Sequence, residues 1–303
     1  MSLPQHISIF CSQSKLPMRV FTTCFVVFVM TLFSSCTVLQ YRKTDKEMLQ
    51  TFQKNDVQTS FVYHQVDSLN FKVRAQKVSK DGNTYNIIFI HGAPSSLVAW
   101  QAFLLDEELA SRANLYAVDR PGYGYTSFGK ALPSIEQQAI VINGLLEELN
   151  LKNMVVVGSS YGGPIAARIA VINKNVDGVI MISAAIDPSI EKDIWASRFT
   201  RWKLTRWIVP TGYRVAGDEK KVHAAELQKI EKDWPQVTVP IAHFHGDADD
   251  IVPVENLVYT DSAFAKARTK TFPDVGHELA WKNPEIMKDE ILSFLKELSK
   301  SKE

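Results

Sequence analysis

The chain has 303 residues, 34 basic against 33 acidic, and a formal net charge of +1. With 46% hydrophobic and 22% charged residues it can bury a core, which excludes a disordered chain; 14 Gly and 13 Pro without a triplet period exclude a collagen-like one. Nearly balanced charge supplies no global pull toward nucleic acid, so none is expected as a partner.

Residues 1–35 contain no Asp or Glu and two basic residues, Lys15 and Arg19. The uncharged run from Val20 to Phe33 is shorter than the ~20 residues a membrane-spanning helix needs. Basic residues, a short apolar run and then small residues describe an export signal. Ser34-Ser35-Cys36 resembles a bacterial lipobox, in which the chain is cut before a cysteine that takes the lipid; Phe33 stands where Leu is usual. Met18-Arg19 would begin such a signal at ordinary length, leaving residues 1–17 as an upstream extension. An uncleaved anchor or plain secretion is the other reading. Either way the expected location is outside the cytoplasm, as a membrane-anchored lipoprotein of a bacterial envelope. The three cysteines, Cys11, Cys24 and Cys36, all lie in this leader. The body therefore has no disulfide, cysteine nucleophile or cysteine zinc site.

Residues 37–58 are polar and read as a tether with a lead-in helix. Phe61–Val66 and Phe71–Ala75 form a hairpin pattern around a short polar link. Asn86–His91 is a continuous apolar run, as a strand buried on both faces requires. A helix follows over Leu97–Ala110, a strand over Leu115–Asp119 and a helix over Ile135–Asn150. Met154–Gly158 reads as a strand, Tyr161–Ile172 as an Ala-rich helix, and Val176–Ser183 as a strand. Thr238–Gly246 and Lys270–Phe272 are further strands, and Ile286–Leu298 is a closing amphipathic helix. This alternation predicts an α/β chain with a mostly parallel central sheet covered by helices. Between Ser183 and Thr238 lie four of the six tryptophans, Trp195, Trp202, Trp207 and Trp234, in helical sequence. That stretch reads as an inserted helical cap. The division is thus 1–36 leader, 37–58 tether, 59–184 first part of the core, 185–237 cap and 238–303 second part of the core.

In such sheets chemistry sits at the carboxyl ends of the strands. Gly158-Ser159-Ser160-Tyr161-Gly162 fits G-x-S-x-G between a strand and a helix, a turn sharp enough to strain its middle residue and lift the Ser160 hydroxyl clear. Ser159 has the wrong spacing to the glycines. A serine needs a base and the base an orienting carboxylate. Asp247, Asp249 and Asp250 follow one late strand and His277 follows the last, in the order Ser, acid, His. The turn His91-Gly92-Ala93-Pro94 can aim a backbone N–H at a developing oxyanion, with Ala93 and Tyr161 as the expected donors.

The set HGAP, DRPGYGYTS, GSSYGG, HGDADDIVP and VGHE, in this order over residues 60–300, resembles the α/β-hydrolase family. The resemblance implies Asp249 as the acid, three residues after Gly246 and followed by Val252-Pro253, with Asp247 and Asp250 as solvated turn residues. It implies a structural role for Asp119. Relatives that are epoxide hydrolases or dehalogenases carry Asp at the elbow, where this chain has Ser160, and HGAPSS departs from the HGGPG of proline iminopeptidases. The implied activity is a serine hydrolase acting through an acyl-enzyme on an ester or related carbonyl of a small, fairly apolar molecule, without cofactor or metal. A C–C bond hydrolase or cofactor-free perhydrolase on the same residues is one alternative. A non-catalytic binding protein on this fold is another. The cap sequence around WASRFTRWKLTRWIVP, with Lys192, Arg198, Arg201, Lys203 and Arg206, allows three readings: a lid whose tryptophans line an acyl pocket, an interfacial segment on lipid, or a lid with a solvated basic face.

Overall fold

The computed structural model describes residues 41–192 and 197–301. The leader reading, with Cys36 and the alternative start, lies outside the described residues, as does Trp195.

The described chain opens on helix α1 (Asp45–Gln53), started by a reciprocal cap: Thr44 Oγ accepts the N–H of Glu47 while the Glu47 carboxylate accepts that of Thr44. Strands β1 (Ser60–Val66) and β2 (Phe71–Val78) form the hairpin, and β3 (Tyr85–Ile90) follows. The helix expected over Leu97–Ala110 is broken into a 3-10 turn (Leu97–Trp100), α2 (Gln101–Leu105) and α3 (Glu107–Arg112). The break has a local cause. Asp106 is extended, and its carboxylate accepts the N–H of Leu109, so it starts a new helix.

Then come β4 (Ala113–Asp119), α4 (Ile135–Glu148), β5 (Met154–Ser159), α5 (Gly162–Ile172) and β6 (Val176–Ile182). Helices α6 (Ser197–Arg201) and α7 (Thr211–Ile230) and a 3-10 turn (Glu231–Gln236) occupy the aromatic stretch before β7 (Ile241–Gly246). Helix α8 (Asn256–Ala263), which has too little apolar periodicity to be read from sequence, leads to β8 (Ala267–Phe272). Only the end of β8 was legible, because ARTKTF is a polar edge strand. Helices α9 (Leu279–Lys282) and α10 (Pro284–Lys300) close the chain. Among the described residues no helix is long and apolar enough to cross a membrane.

The eight strands form one sheet in the order β1-β2-β4-β3-β5-β6-β7-β8. β2 is antiparallel to both β1 and β4, and the neighbours from β4 through β8 are parallel. The apolar runs explain the core. Successive residues of a strand point to opposite faces, so Ile88 and Ile90 join one buried cluster while Ile87 and Phe89 join the other. Val156 and Val157, and Met181 and Ile182, divide in the same way.

Asp119, at the end of β4, takes the structural place its motif implies. One carboxylate oxygen accepts the N–H of Leu97 at 2.8 Å; the other accepts the N–H of Tyr125 and Nη1 of Arg74, both at 2.9 Å. It is fully buried, and these donors tie two loops and β2 to one strand end.

Candidate active site

Ser160 stands between β5 and α5 with φ of +52°, in the left-handed region that ordinary side chains avoid. Its neighbours explain how the turn closes. A Cβ on Gly158 would lie 2.2 Å from the carbonyl oxygen of Gly162, and one on Gly162 would lie 2.4 Å from that of Ile90. Only glycine fits at either position. The Ser160 N–H donates to Ile182 O on β6, and its carbonyl accepts the N–H of Gly163 in the first turn of α5. The strained residue is therefore held from both sides. Ser159 is buried on β5, away from this position.

Asp249 lies in the turn after β7, and it is the aspartate that meets His277. Its Oδ2 is 2.8 Å from His277 Nδ1 and 3.1 Å from His245 Nε2, and its Oδ1 accepts the N–H groups of Ile251 at 2.9 Å and Val252 at 2.8 Å. A carboxylate only accepts, so His277 carries its proton on Nδ1, which leaves Nε2 as the basic nitrogen. Burial acts to raise the Asp249 pKa, but the bonds from His245 and His277, the His277 charge and the Val252 N–H outweigh it and hold the carboxyl below its ordinary range. Asp247 instead accepts the N–H of Asp274, and the exposed Asp250 offers its carbonyl to Lys192. His245 escaped the sequence reading. Its only signal was a second histidine two residues after His243 on the same strand.

The turn after β3 is built around His91 and Arg120. His91 Nε2 accepts the Arg120 N–H at 3.0 Å, so Nδ1 carries the proton and donates to Gly92 O at 2.7 Å. Burial, then the Arg120 charge, push the His91 pKa well down, which keeps the ring neutral. A Cβ on Gly92 would lie 2.9 Å from that of Ser160, so this turn packs directly on the elbow. Arg120 and Glu219, both fully buried, join the turn to the cap. Arg120 Nη1 donates to Glu219 Oε1 at 2.8 Å and Nη2 to Gly92 O at 3.2 Å. Tyr123 donates to the other Glu219 oxygen at 2.6 Å, and Gln138 to the first at 2.8 Å.

Ser160, His277, Ala93 and Tyr161 line one cavity of about 320 Å³. Its wall is largely apolar, with Pro94, Ala185, Ile251 and Val252 among the lining residues. Asp249 sits behind His277. The cap closes the cavity with Ser197 and Thr200 of α6 and with Tyr213, Ala216, Gly217, Lys220 and His223 of α7. Trp202 and Trp207 are not among the lining residues; they face outward and are exposed. Trp234 is buried in the main core. Trp202, Trp207 and Trp234 therefore do not line an acyl pocket, while Trp195 of the same stretch lies outside the described residues.

The cap contributes a polar trio that the sequence reading missed. Glu191 Oε1 is 2.7 Å from His223 Nδ1, and its other oxygen pairs with Lys220. Lys220 and His223 are three apart on one helix, a spacing visible in sequence. Glu191 reaches them only through the fold. Burial opposes the Glu191 charge, but His223 and Lys220 prevail and lower its pKa from 4.5 to about 2. The His223 ring stacks on Tyr161 with centroids 4.5 Å apart.

A family model described as alpha/beta hydrolase fold matches residues 85–208. A dihydrolipoyllysine-residue acetyltransferase component of an acetoin cleaving system from Cupriavidus necator is 31% identical over 118 residues, covering 39% of this chain and 30% of that protein. The chain thus matches less than a third of that relative's length. A 2-hydroxy-6-oxo-6-(2'-aminophenyl)hexa-2,4-dienoic acid hydrolase from Metapseudomonas resinovorans is 25% identical, covering 71% of this chain and 85% of that one. The solved structure of an esterase from Exiguobacterium antarcticum superposes with a TM-score of 0.59 at 19% identity, covering 78% of this chain and 99% of the other, a likeness of fold.

Two outcomes are expected. Replacing Ser160 by Gly removes the left-handed strain, so the urea midpoint should rise by the equivalent of about 1 kcal/mol while reaction at this position is lost. Because the Glu191 pKa is depressed on folding, its contribution is present above its ordinary pKa of 4.5 and is lost as pH falls toward about 2. Exchange protection of the amides in residues 211–223, taken relative to the intrinsic rate at each pH, should therefore fall over that window, and Glu191→Gln should show the lower protection already at neutral pH.

Proposed function

We propose that this chain, an enzyme of the α/β-hydrolase fold, is a serine hydrolase acting on an ester or related carbonyl of a small, fairly apolar substrate. The observation that carries the reading is the Asp249–His277 pair, which leaves His277 Nε2 free in the cavity wall it shares with a strained elbow serine.

The mechanism follows from those groups. The Ser160 hydroxyl attacks the carbonyl carbon while His277 Nε2 takes its proton. Asp249 keeps the ring oriented and stabilises the imidazolium. The backbone N–H groups of Ala93 and Tyr161 receive the oxyanion. The tetrahedral species collapses and the leaving alkoxide takes the proton from His277. A water molecule, deprotonated by the same nitrogen, then attacks the acyl-enzyme. Its collapse returns the proton to Ser160 and releases a carboxylic acid. The cavity volume suits a substrate of drug-like size, and the apolar lining favours a substrate with more hydrocarbon than charge. The cap over residues 185–237 selects among such substrates.

A C–C bond hydrolase on the same residues is the second reading. Lys220 on the cap side of the cavity would meet a substrate carboxylate, and the relative from Metapseudomonas resinovorans bears the name of a dienoic acid hydrolase. The leader carries over into the proposal: residues 1–36 export the chain, and Cys36 takes the lipid that holds it to a bacterial envelope membrane.

A fluorophosphonate probe tests the chemistry. The full chain should label promptly and the Ser160→Ala variant should not. A folded chain that fails to label sinks the acyl-enzyme reading and leaves a binding role. Metabolic labelling with palmitate tests the anchor: label present in the wild type and absent from Cys36→Ser is the expected result, and label in neither refutes lipidation.

A further inference from the structure

The outer face of the cap bears side chains for which the cavity has no use. Within residues 199–208 five large apolar side chains are exposed in part or for the most part: Phe199, Trp202 (56% exposed), Leu204 (69%), Trp207 (77%) and Ile208 (59%). Single exposed apolar residues are common on soluble proteins, but five within ten residues of one segment are a concentration that interaction surfaces show.

The segment is held in shape. The N–H of Trp202 donates to Arg198 O, that of Arg206 to Trp202 O and that of Ile208 to Thr205 O. The Thr205 hydroxyl donates to Phe199 O at 2.6 Å. Arg206 donates to Thr200 O and makes a two-bonded pair with Asp218 on α7, at 2.9 and 2.7 Å. The indole N–H of Trp207 is spent on Leu204 O at 3.0 Å, so what that side chain offers outward is hydrocarbon. These bonds form a compact knuckle that displays apolar groups.

Charge narrows the choice of partner. Residues 197–208 contain no Asp or Glu and four basic residues, Arg198, Arg201, Lys203 and Arg206, of which Arg206 is paired with Asp218. Arg201 and Lys203 alternate with the exposed apolar groups. A second copy docking face to face would bring these cations against their own counterparts, which costs free energy. An anionic lipid surface accepts both features, with tryptophan and aliphatic groups at the headgroup boundary and lysine and arginine against phosphate.

We propose that residues 199–208 are a docking surface for an anionic lipid bilayer. Ser197 and Thr200 of α6, the helix that bears Phe199 and leads into the rest of the patch, line the cavity beside Ser160. Docking would set the cavity close to molecules dissolved in the bilayer. It does not depend on the serine chemistry, and Ser160→Ala should dock unchanged.

The test reads contact at the patch itself, so that attachment through the leader does not obscure it. The full chain is mixed with phosphatidylglycerol–phosphatidylcholine vesicles whose acyl chains carry bromine, which quenches tryptophan it touches. Emission from the wild type should fall relative to unbrominated vesicles. The conservative variant Trp202→Phe/Trp207→Phe should lose most of that quenching while binding vesicles as before. Arg201→Gln/Lys203→Gln should lower the quenching to the value seen on phosphatidylcholine alone. Equal quenching in the Phe variant, or none in a wild-type chain that sediments with the vesicles, overturns the proposal. So does a dimer that Leu204→Glu disperses, found without quenching, which would assign the surface to a second copy.

Discussion

Arg120 and Glu219 bury two full charges in one place, and the arrangement of the site hangs on them. Both are fully buried, so their charges are met by protein groups at both Glu219 oxygens and at both Arg120 Nη atoms, while Arg120 Nε has no partner among the described residues. Glu219 takes donors from Arg120, Tyr123 and Gln138. Arg120 reaches through Gly92 O to the turn that packs on Ser160. The pair thus joins three parts far apart in sequence: the loop after β4, the turn after β3 and the cap helix α7. Losing one partner of such a pair costs about 3–5 kcal/mol, so cap and elbow are held in one mutual position. Arg120 also lies over the Tyr161 ring, 4.7 Å from its centroid, and His223 stacks on that same ring. The residue after the elbow serine is therefore enclosed by core and cap together.

The electrostatics of the candidate site follow from proton bookkeeping. Asp249 accepts from His277 Nδ1 and from the N–H groups of Ile251 and Val252, with His245 Nε2 3.1 Å away and shared with Val252 O, and so stays ionised; the bond from Nδ1 puts His277 Nε2 at the other edge of the ring. His91, deep beside Arg120, is kept neutral for the opposite reason, since a positive charge there would meet another. His243 is likewise kept neutral by burial, with Nε2 accepting the N–H of Ala184. Four histidines, then, are sorted by their surroundings: His91 and His243 brace turns, His245 braces the acid and His277 faces the cavity. Glu191 and His223 repeat the carboxylate–imidazole contact on the cap side, where both line the cavity.

The cap has two faces with different chemistry. Groups of α6 and α7 look into the cavity, and Trp202, Leu204, Trp207 and Ile208 look out. Tryptophans lining the pocket is one of the three readings that the sequence of this run allows. Whether such a run turns inward depends on what the opposite face meets. Here Thr200 packs against Gly217 of α7 and occupies the inward side. The large groups were left outside.

Local pattern by itself determined most of the frame. Unbroken apolar strands at β3, β5 and β6, helical periodicity at α4 and glycine spacing at the elbow are short-range features, because side-chain direction along a strand or helix repeats within a few residues. The positions of Ser160 and His277 followed from those elements, and so did the set of three aspartates. Other features were set only when the sheet assembled. Which aspartate meets His277 depends on the turn after β7. His245 becomes a partner of Asp249 only through that turn. Glu191 joins Lys220 and His223 across 29 and 32 residues, and Arg120 meets Glu219 across 99. Contacts between residues so far apart in the chain leave no periodic trace in it; they exist because the sheet and cap bring those side chains within hydrogen-bonding distance and exclude the water that would otherwise satisfy them.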